Sequence, residues 1–287
     1  MLTQLDKARA FRALHERKGA FIIPNPWDAG TARLLAHLGF EALATTSAGY
    51  AFSAGKPDHG VTRDDMLAHV ATIAAAVDLP VSGDLENGFG DAPEDAAQTI
   101  VLAAAAGLVG GSIEDSKNKS EDSKNNGDSG DPIYEVGFAA ERIRAASEAA
   151  QSLPFPFTLT ARAENYLHGR NDLADTIKRL QAYQEAGADV LYAPGLSRKE
   201  DIDAVVRSVE RPVNVLGGLG DPPLDFAALS ALGVRRISVG SALSRAALAA
   251  FLRAAREMRD NGTFTFARDA ASGRELNTIF DRFETPR

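Results

Sequence analysis

No cysteine occurs anywhere in the 287 residues. Disulfides, thiolate metal sites and a cysteine nucleophile are therefore excluded. Long hydrophobic runs are absent too: no uninterrupted apolar segment reaches the roughly 20 residues that a membrane helix needs. Basic residues are in deficit, 31 against 39 acidic, for a net charge of −8. A broad nucleic-acid or anionic-membrane surface is not expected from that balance. The five histidines (15, 37, 59, 69, 168) form no HxH or HExxH spacing, which argues against zinc. The first residues, MLTQLDKARAFRALHERKGAF, are charged throughout and read as an amphipathic helix without the apolar core of a signal peptide. Cytoplasmic localisation is the expectation.

What is present is a recurring alternation. Eight short apolar or small-residue runs, at 20–30, 42–49, 79–88, 107–115, 157–165, 188–195, 211–218 and 234–242, each end in polar or glycine residues. Continuous apolar runs with little alternation suggest strands buried on both faces, as in a parallel sheet. Helical patterns lie between them. DAGTARLLAHLGF (28–40) brings Ala32, Leu35, Ala36 and Leu38 near one face, and in TRDDMLAHVATIAAAV (62–77) Thr62 is a plausible N-cap with Asp65 at the third helical position. Several helices run into Gly-Ala or Gly-Val before the next strand, as a left-handed C-cap would. Eight strand–helix units predict an α/β fold of the TIM (β/α)8 barrel type, one domain over 1–287. An open doubly wound sheet is the rival. The tail from 247 to 287 reads as a C-terminal helical extension that covers the barrel or packs on another subunit.

In such a barrel the chemistry sits at the C-terminal ends of the strands. There the third run carries Asp84 and Glu86, two apart and on one face of the strand or its extension; Glu114 ends the fourth. Carboxylates so concentrated repel unless a cation or protons lie between them. Hard oxygen donors suit Mg2+, with Mn2+ close behind. Capping or pairing with Arg162 is the structural alternative. Arg162, within a buried run, suits a carboxylate or phosphonate, or an internal salt bridge to Glu164 or Glu114. Ser47-Ala48-Gly49 is either a tight turn or a set of backbone N–H groups presented to an anion. Asn214, polar in PVNVL, needs a partner that is either ligand or protein. NVLGGLG and ISVGSAL resemble the phosphate-gripping loops of many barrels, a weak signal because such turns need glycine anyway. No lysine lies within a strand, which disfavours Schiff-base chemistry.

Taken in order, NPWDAGTARLLAHLGFEALATTSAG, GKPDHGVT, GDLENGFG, GSIED, TARAEN and RPVNVL resemble the isocitrate lyase / phosphoenolpyruvate mutase superfamily from about residue 20 to 245. The resemblance implies a Mg2+-dependent enzyme that cleaves or rearranges a C–C or P–C bond next to an α-keto or 2-hydroxy carboxylate, through an enolate. By motif, Asp84 is the direct metal ligand, with Asp58, Glu86 and Glu114 acting mainly through metal-bound water. Ser47, Ala48 and Gly49 would hold the keto-acid end, with Arg162 and Asn214 on the substrate carboxylate or phosphonate. The family often has Asp-x-Asp where this chain has Asp84-Leu85-Glu86. The lyases of isocitrate and methylisocitrate use a loop cysteine as acid/base, which is missing here, so those two activities are poorly supported. The mutase branch carries lysine and asparagine in that loop, residue types that Lys117 and Asn118 offer; with Arg162 and Glu114 they complete the candidate catalytic set. The polar stretch 116–131 reads as a mobile active-site loop. The leading expectation is a lyase on an oxaloacetate-like carboxylate. A phosphonopyruvate mutase or hydrolase and a non-catalytic keto-acid-binding barrel are the alternatives. A homo-dimer or homo-tetramer, with a C-terminal helix exchanged between subunits, follows from the same resemblance.

Overall fold

The computed structural model describes residues 2–117 and 131–284. Eight parallel strands form one sheet: β1 (Phe21–Ile23), β2 (Leu43–Ala44), β3 (Val81–Asp84), β4 (Gly110–Glu114), β5 (Thr158–Arg162), β6 (Val190–Tyr192), β7 (Val213–Leu216) and β8 (Arg236–Ser238). Their order is β1-β8-β7-β6-β5-β4-β3-β2. Each falls within one of the eight apolar runs. β1 and β2 meet at the remaining seam, where the Ala44 N–H donates to the Pro24 carbonyl at 3.1 Å and Asn25 Nδ2 to the Thr45 carbonyl at 2.9 Å. The result is a nearly closed α/β TIM barrel.

Eleven α-helices occur among the described residues: α1 (Gln4–Glu16), α2 (Ala29–His37), α3 (Ser47–Ser53), α4 (Arg63–Ala76), α5 (Pro93–Ala105), α6 (Val136–Gln151), α7 (Leu173–Glu185), α8 (Lys199–Ser208), α9 (Phe226–Ala231), α10 (Ala242–Asn261) and α11 (Gly273–Phe280). Their starts follow side-chain chemistry. Asp28 caps α2, and Thr62 caps α4 in a reciprocal box with Asp65, as its sequence predicts. Gly107 (φ 97°) and Gly187 (φ 101°) turn the chain back to β4 and β6 through a left-handed conformation that a side chain would resist. Met66, Val70 and Ile73 of α4, Ile100 of α5 and Leu180 of α7 are fully buried against the sheet. Each contributes about 1.5–3 kcal/mol of burial. α1 belongs to a second cluster, in which Ala8, Phe11 and Leu14 pack with Phe21, Ala42 and Val109 at the N-terminal ends of the strands. That end is plugged, so access is from the opposite, C-terminal rim.

One expectation changes: Leu38 is not on the buried face of α2 but caps its end at 69% exposure. After β8 the chain runs into α10, which spans position 247. Only Ser244 of α10 is buried, whereas Leu248, Phe251, Leu252 and Met258 are exposed. No helix of the described residues is long and apolar enough to cross a membrane.

Candidate active site

A cavity of about 200 Å3 opens at the C-terminal rim. Its polar wall is built by register. Glu114 pairs with Arg162, Arg162 with Tyr192, Tyr192 with Asn214 and Asn214 with Arg236 across β4 to β8. Asp84 ends β3, and the first turn of α3 follows directly on β2 and brings Ser47 and Ala48 to the same wall.

Asp84 sits at the centre of the contacts. Its Oδ2 accepts from the Ser47 N–H at 3.0 Å and from the Ser47 hydroxyl at 2.8 Å, and its Oδ1 accepts from Arg162 Nη1 at 2.8 Å. Arg162 also lies 3.2 Å from Glu114 Oε2 and donates through Nε to Glu164 Oε1 at 2.9 Å. One guanidinium therefore faces three carboxylates and holds its proton all the more firmly. Burial raises Glu114 to about 8 against the pull of Arg162, and raises Glu164 as well.

Glu86 and His59 form a second element. Both adopt the left-handed backbone conformation, at φ 49° and 59°, which is uncommon for residues with side chains. They meet at 3.4 Å, His59 Nδ1 to Glu86 Oε2. That contact raises His59 to about 9, while burial raises Glu86. Such strain persists only where the surroundings enforce it, and it clusters at functional sites.

The donor set fits a divalent ion in a specific way. Glu86 Oε1 and Glu114 Oε1 are buried and have no hydrogen-bond partner among the described residues. Buried acceptors in that state call for a cation or for water held by one. Yet among the described residues no three acidic or histidine side chains stand close enough to ligate one ion directly. This arrangement suits Mg2+, which keeps most of its own water and takes one or two protein carboxylates.

The expected residues are placed as follows. Asp58, Asp84, Glu114, Arg162, Ser47, Ala48 and Asn214 line the cavity. Gly49 does not: it is buried in α3 and its N–H donates to the capping Thr46 hydroxyl at 3.2 Å. The Ser47 N–H is spent on Asp84, so the tripeptide supplies fewer free amides than a loop would. Glu86 lies behind the lining. Asn214 donates to Ser238 Oγ and accepts from Arg236 Nε, each at 2.9 Å. Lys117 is outside the lining, its N–H donating to the Pro132 carbonyl at 2.9 Å. Asn118, and with it residues 118–130 of the expected 116–131 loop, lie outside the described residues. His59, Tyr192 and Arg236, absent from the expected set, also line the cavity. A signal for Arg236 was present in VRRIS: it is two residues before Ser238, on the same face of a short strand.

Four similarities bear on this chain. Residues 11–259 match the family described as phosphoenolpyruvate phosphomutase. A crystal structure from Burkholderia cenocepacia J2315, provisionally assigned as a lyase/mutase, is 63% identical, with a TM-score of 0.91 over 97% of each chain. An oxaloacetate decarboxylase of Pseudomonas aeruginosa (strain LESB58) is 30% identical over 252 residues, 87% of this chain and 84% of its own. The structure of an oxaloacetate acetylhydrolase in complex with the product oxalate superposes with a TM-score of 0.83 at 26% identity, covering 96% of this chain and 94% of the other.

Proposed function

Because the chain belongs to the phosphoenolpyruvate phosphomutase family, within the isocitrate lyase / phosphoenolpyruvate mutase superfamily, and is an enzyme of carbon–carbon or phosphorus–carbon lyase type, we propose that it is a Mg2+-dependent lyase cleaving a C–C bond of a small α-keto or 2-hydroxy carboxylate. The observation that carries this reading is the convergence of Asp84, Glu114, Arg162 and Ser47 on the wall of one small, polar cavity. Asp84 would hold the ion directly, with Asp58, Glu86 and Glu114 reaching it through water. When bound, a divalent cation supplies positive charge opposite the oxygen on which charge develops.

The chain's own groups do the rest. Ser47 fixes the Asp84 carboxylate through two hydrogen bonds and keeps its hydroxyl at the cavity wall. Arg162, pinned by Glu164, offers a guanidinium that a bound anion can share with Asp84 and Glu114. Glu114 Oε1 is an atom at which a proton can be held near neutrality and released, since burial raises its carboxyl to about 8. The exposed apolar side chains of α10 support a homo-oligomer as the working assembly.

The test is a panel of oxaloacetate, 2,3-dimethylmalate, 2-methylisocitrate, isocitrate and phosphonopyruvate, incubated with Mg2+ and followed by NMR. Cleavage of a keto or hydroxy acid that is abolished in Asp84→Ala is expected. Turnover of phosphonopyruvate alone would move the assignment to P–C chemistry, and efficient cleavage of methylisocitrate would overturn the inference from the missing cysteine.

A further inference from the structure

Three arginines are at least nine-tenths buried among the described residues, and two are satisfied inside the protein. Arg142 donates to the carbonyls of Asn87, Gly90, Asp91 and Glu114. Arg179 is held by Asp115 and Asp175 and by the Tyr134 carbonyl. Arg236 differs from both. At 5% exposure, its Nε donates to Asn214 Oδ1 at 2.9 Å and its Nη2 to Thr160 Oγ1 at 3.0 Å. Both partners are neutral, and Nη1 is buried without a hydrogen-bond partner among the described residues. No described carboxylate forms a salt bridge with it.

Its position makes that isolation meaningful. Thr160 is two residues below Arg162 on β5, so the Arg236 guanidinium crosses the barrel interior one inward step beneath Arg162. Arg236 lines the same cavity as Asp84, together with the hydroxyl residues Ser82, Ser112 and Ser238. The buried His15 supplies no negative charge nearby: burial, then the charge of Arg236, holds its pKa down to about 3, so it is neutral. A guanidinium does not shed its proton under ordinary conditions, and a buried cation without an anion is costly. Arg162, by contrast, already faces three carboxylates. The uncompensated positive charge of the cavity is thus at its floor.

We propose that Arg236 is a specificity-determining residue that takes the distal carboxylate of a 2-hydroxy dicarboxylic acid, whose hydroxy-acid end lies at Asp84 and Ser47. This deepens the reading above and rests on it. It also selects the bond. In cleavage between C2 and C3, the hydroxyl proton leaves to a base, the O–H pair forms the new C=O, and the C2–C3 pair passes to C3. There it delocalises into the distal carboxylate as an enediolate. Protonation of C3 then gives a carboxylic acid beside a 2-oxo acid, with no change in overall oxidation state. Negative charge grows on the group that Arg236 faces, so the guanidinium is stronger in the transition state than in the ground state. Decarboxylation does the opposite: the distal carboxylate leaves as neutral CO2, and a cation that holds it opposes the step. The geometry therefore favours cleavage that retains both carboxyl groups over loss of CO2.

Calorimetric titration of the full-length protein with Mg2+ tests the assignment without turnover, using malate, lactate and oxalate as probes. Malate and lactate share the hydroxy-acid end and differ in the distal carboxylate. Wild type should bind malate about 10- to 100-fold more tightly than lactate, the worth of one charged hydrogen-bonded contact. Arg236→Met should erase that preference, leave lactate and oxalate unchanged, and let Arg236→Lys recover part of it. Equal binding of malate and lactate by wild type overturns the proposal, as does an Arg236→Met protein that weakens oxalate as much as malate. If Arg236→Met does not fold, judged by circular dichroism, the wild-type comparison and Arg236→Lys decide. A malate preference without turnover of any hydroxy acid would sink the lyase reading and leave the subsite standing; turnover of a dicarboxylic hydroxy or keto acid by a wild type that binds malate and lactate equally would do the reverse.

Discussion

Replacing Asp115 by leucine tests how the fold holds the site. Asp115 is one residue beyond Glu114 and 3% exposed. Its Oδ1 accepts from the Glu164 N–H at 2.8 Å, and its Oδ2 from Arg179 Nη1 at 3.0 Å and from the Tyr183 hydroxyl at 2.5 Å. Leucine shares the branching at Cγ but accepts nothing. The Glu164 N–H and the Tyr183 O–H then lose this acceptor in the interior, while Arg179 keeps Asp175 and the Tyr134 carbonyl. Removing one partner of a buried ion pair costs about 3–5 kcal/mol. At about 2–3 °C per kcal/mol for a chain of this size, the melting temperature should fall by roughly 6–15 °C. Asp115→Asn keeps an acceptor and should lose about half as much. The control is Asp131→Ala, which breaks a shorter Asp–Arg pair, with Arg170 at 2.6 Å, where both side chains are 40% exposed or more. That change should cost about 0–1 kcal/mol. Melting by calorimetry or circular dichroism measures all three. If Asp115→Leu costs no more than Asp131→Ala, the buried network contributes nothing that an exposed pair does not, and the reasoning fails.

Three further outcomes follow from the same structure. Because burial raises Glu114 to about 8, Mg2+ must compete with its proton: affinity should climb with pH from 6 to 8 and level off above, and Glu114→Gln should flatten that slope. His15 stays neutral when folded, with its pKa near 3, and takes a proton near pH 6.5 when unfolded, so stability is lost as pH falls from about 6.5 toward 3. Calorimetry of His15→Leu should show a shallower acid limb; an unchanged limb would exclude this residue as its source. Gly110→Ala would place a Cβ 2.8 Å from both the Thr158 carbonyl oxygen and Phe11 Cε1, and should destabilise by about 1–3 kcal/mol in urea melts, whereas a neutral result would mean that α1 moves aside easily.

The barrel was legible because its rule is local. Each strand needs a short apolar run and the helices between need a buried stripe; the sequence offers eight such runs with helical patterns between them. The positions of Asp84, Glu114 and Arg162 at strand ends followed from that frame. What depends on register across the barrel was not legible. Nothing local says that Arg236 reaches Thr160 three strands away, or that His59 and Glu86 meet through two left-handed residues. α3 is hidden in the sequence, where Ser47-Ala48-Gly49 leaves a tight turn and an anion-facing set of N–H groups both open, because seven residues rich in small side chains carry little helical signal; its Thr46 cap claims the Gly49 N–H. The missing cysteine is legible for the opposite reason, since an absent functional group needs no register to be read.

The central claim is that Asp84 anchors a divalent ion on which the keto-acid or hydroxy-acid end of the substrate depends. Titration of oxalate into the protein, with Mg2+ and with EDTA, and into Asp84→Ala with Mg2+, tests it most directly. Oxalate should bind only with Mg2+, and Asp84→Ala should weaken it by about 100-fold or more, the effect of losing a direct ligand rather than a supporting one. Oxalate binding that is equal with and without Mg2+, or unchanged in Asp84→Ala, would contradict the account.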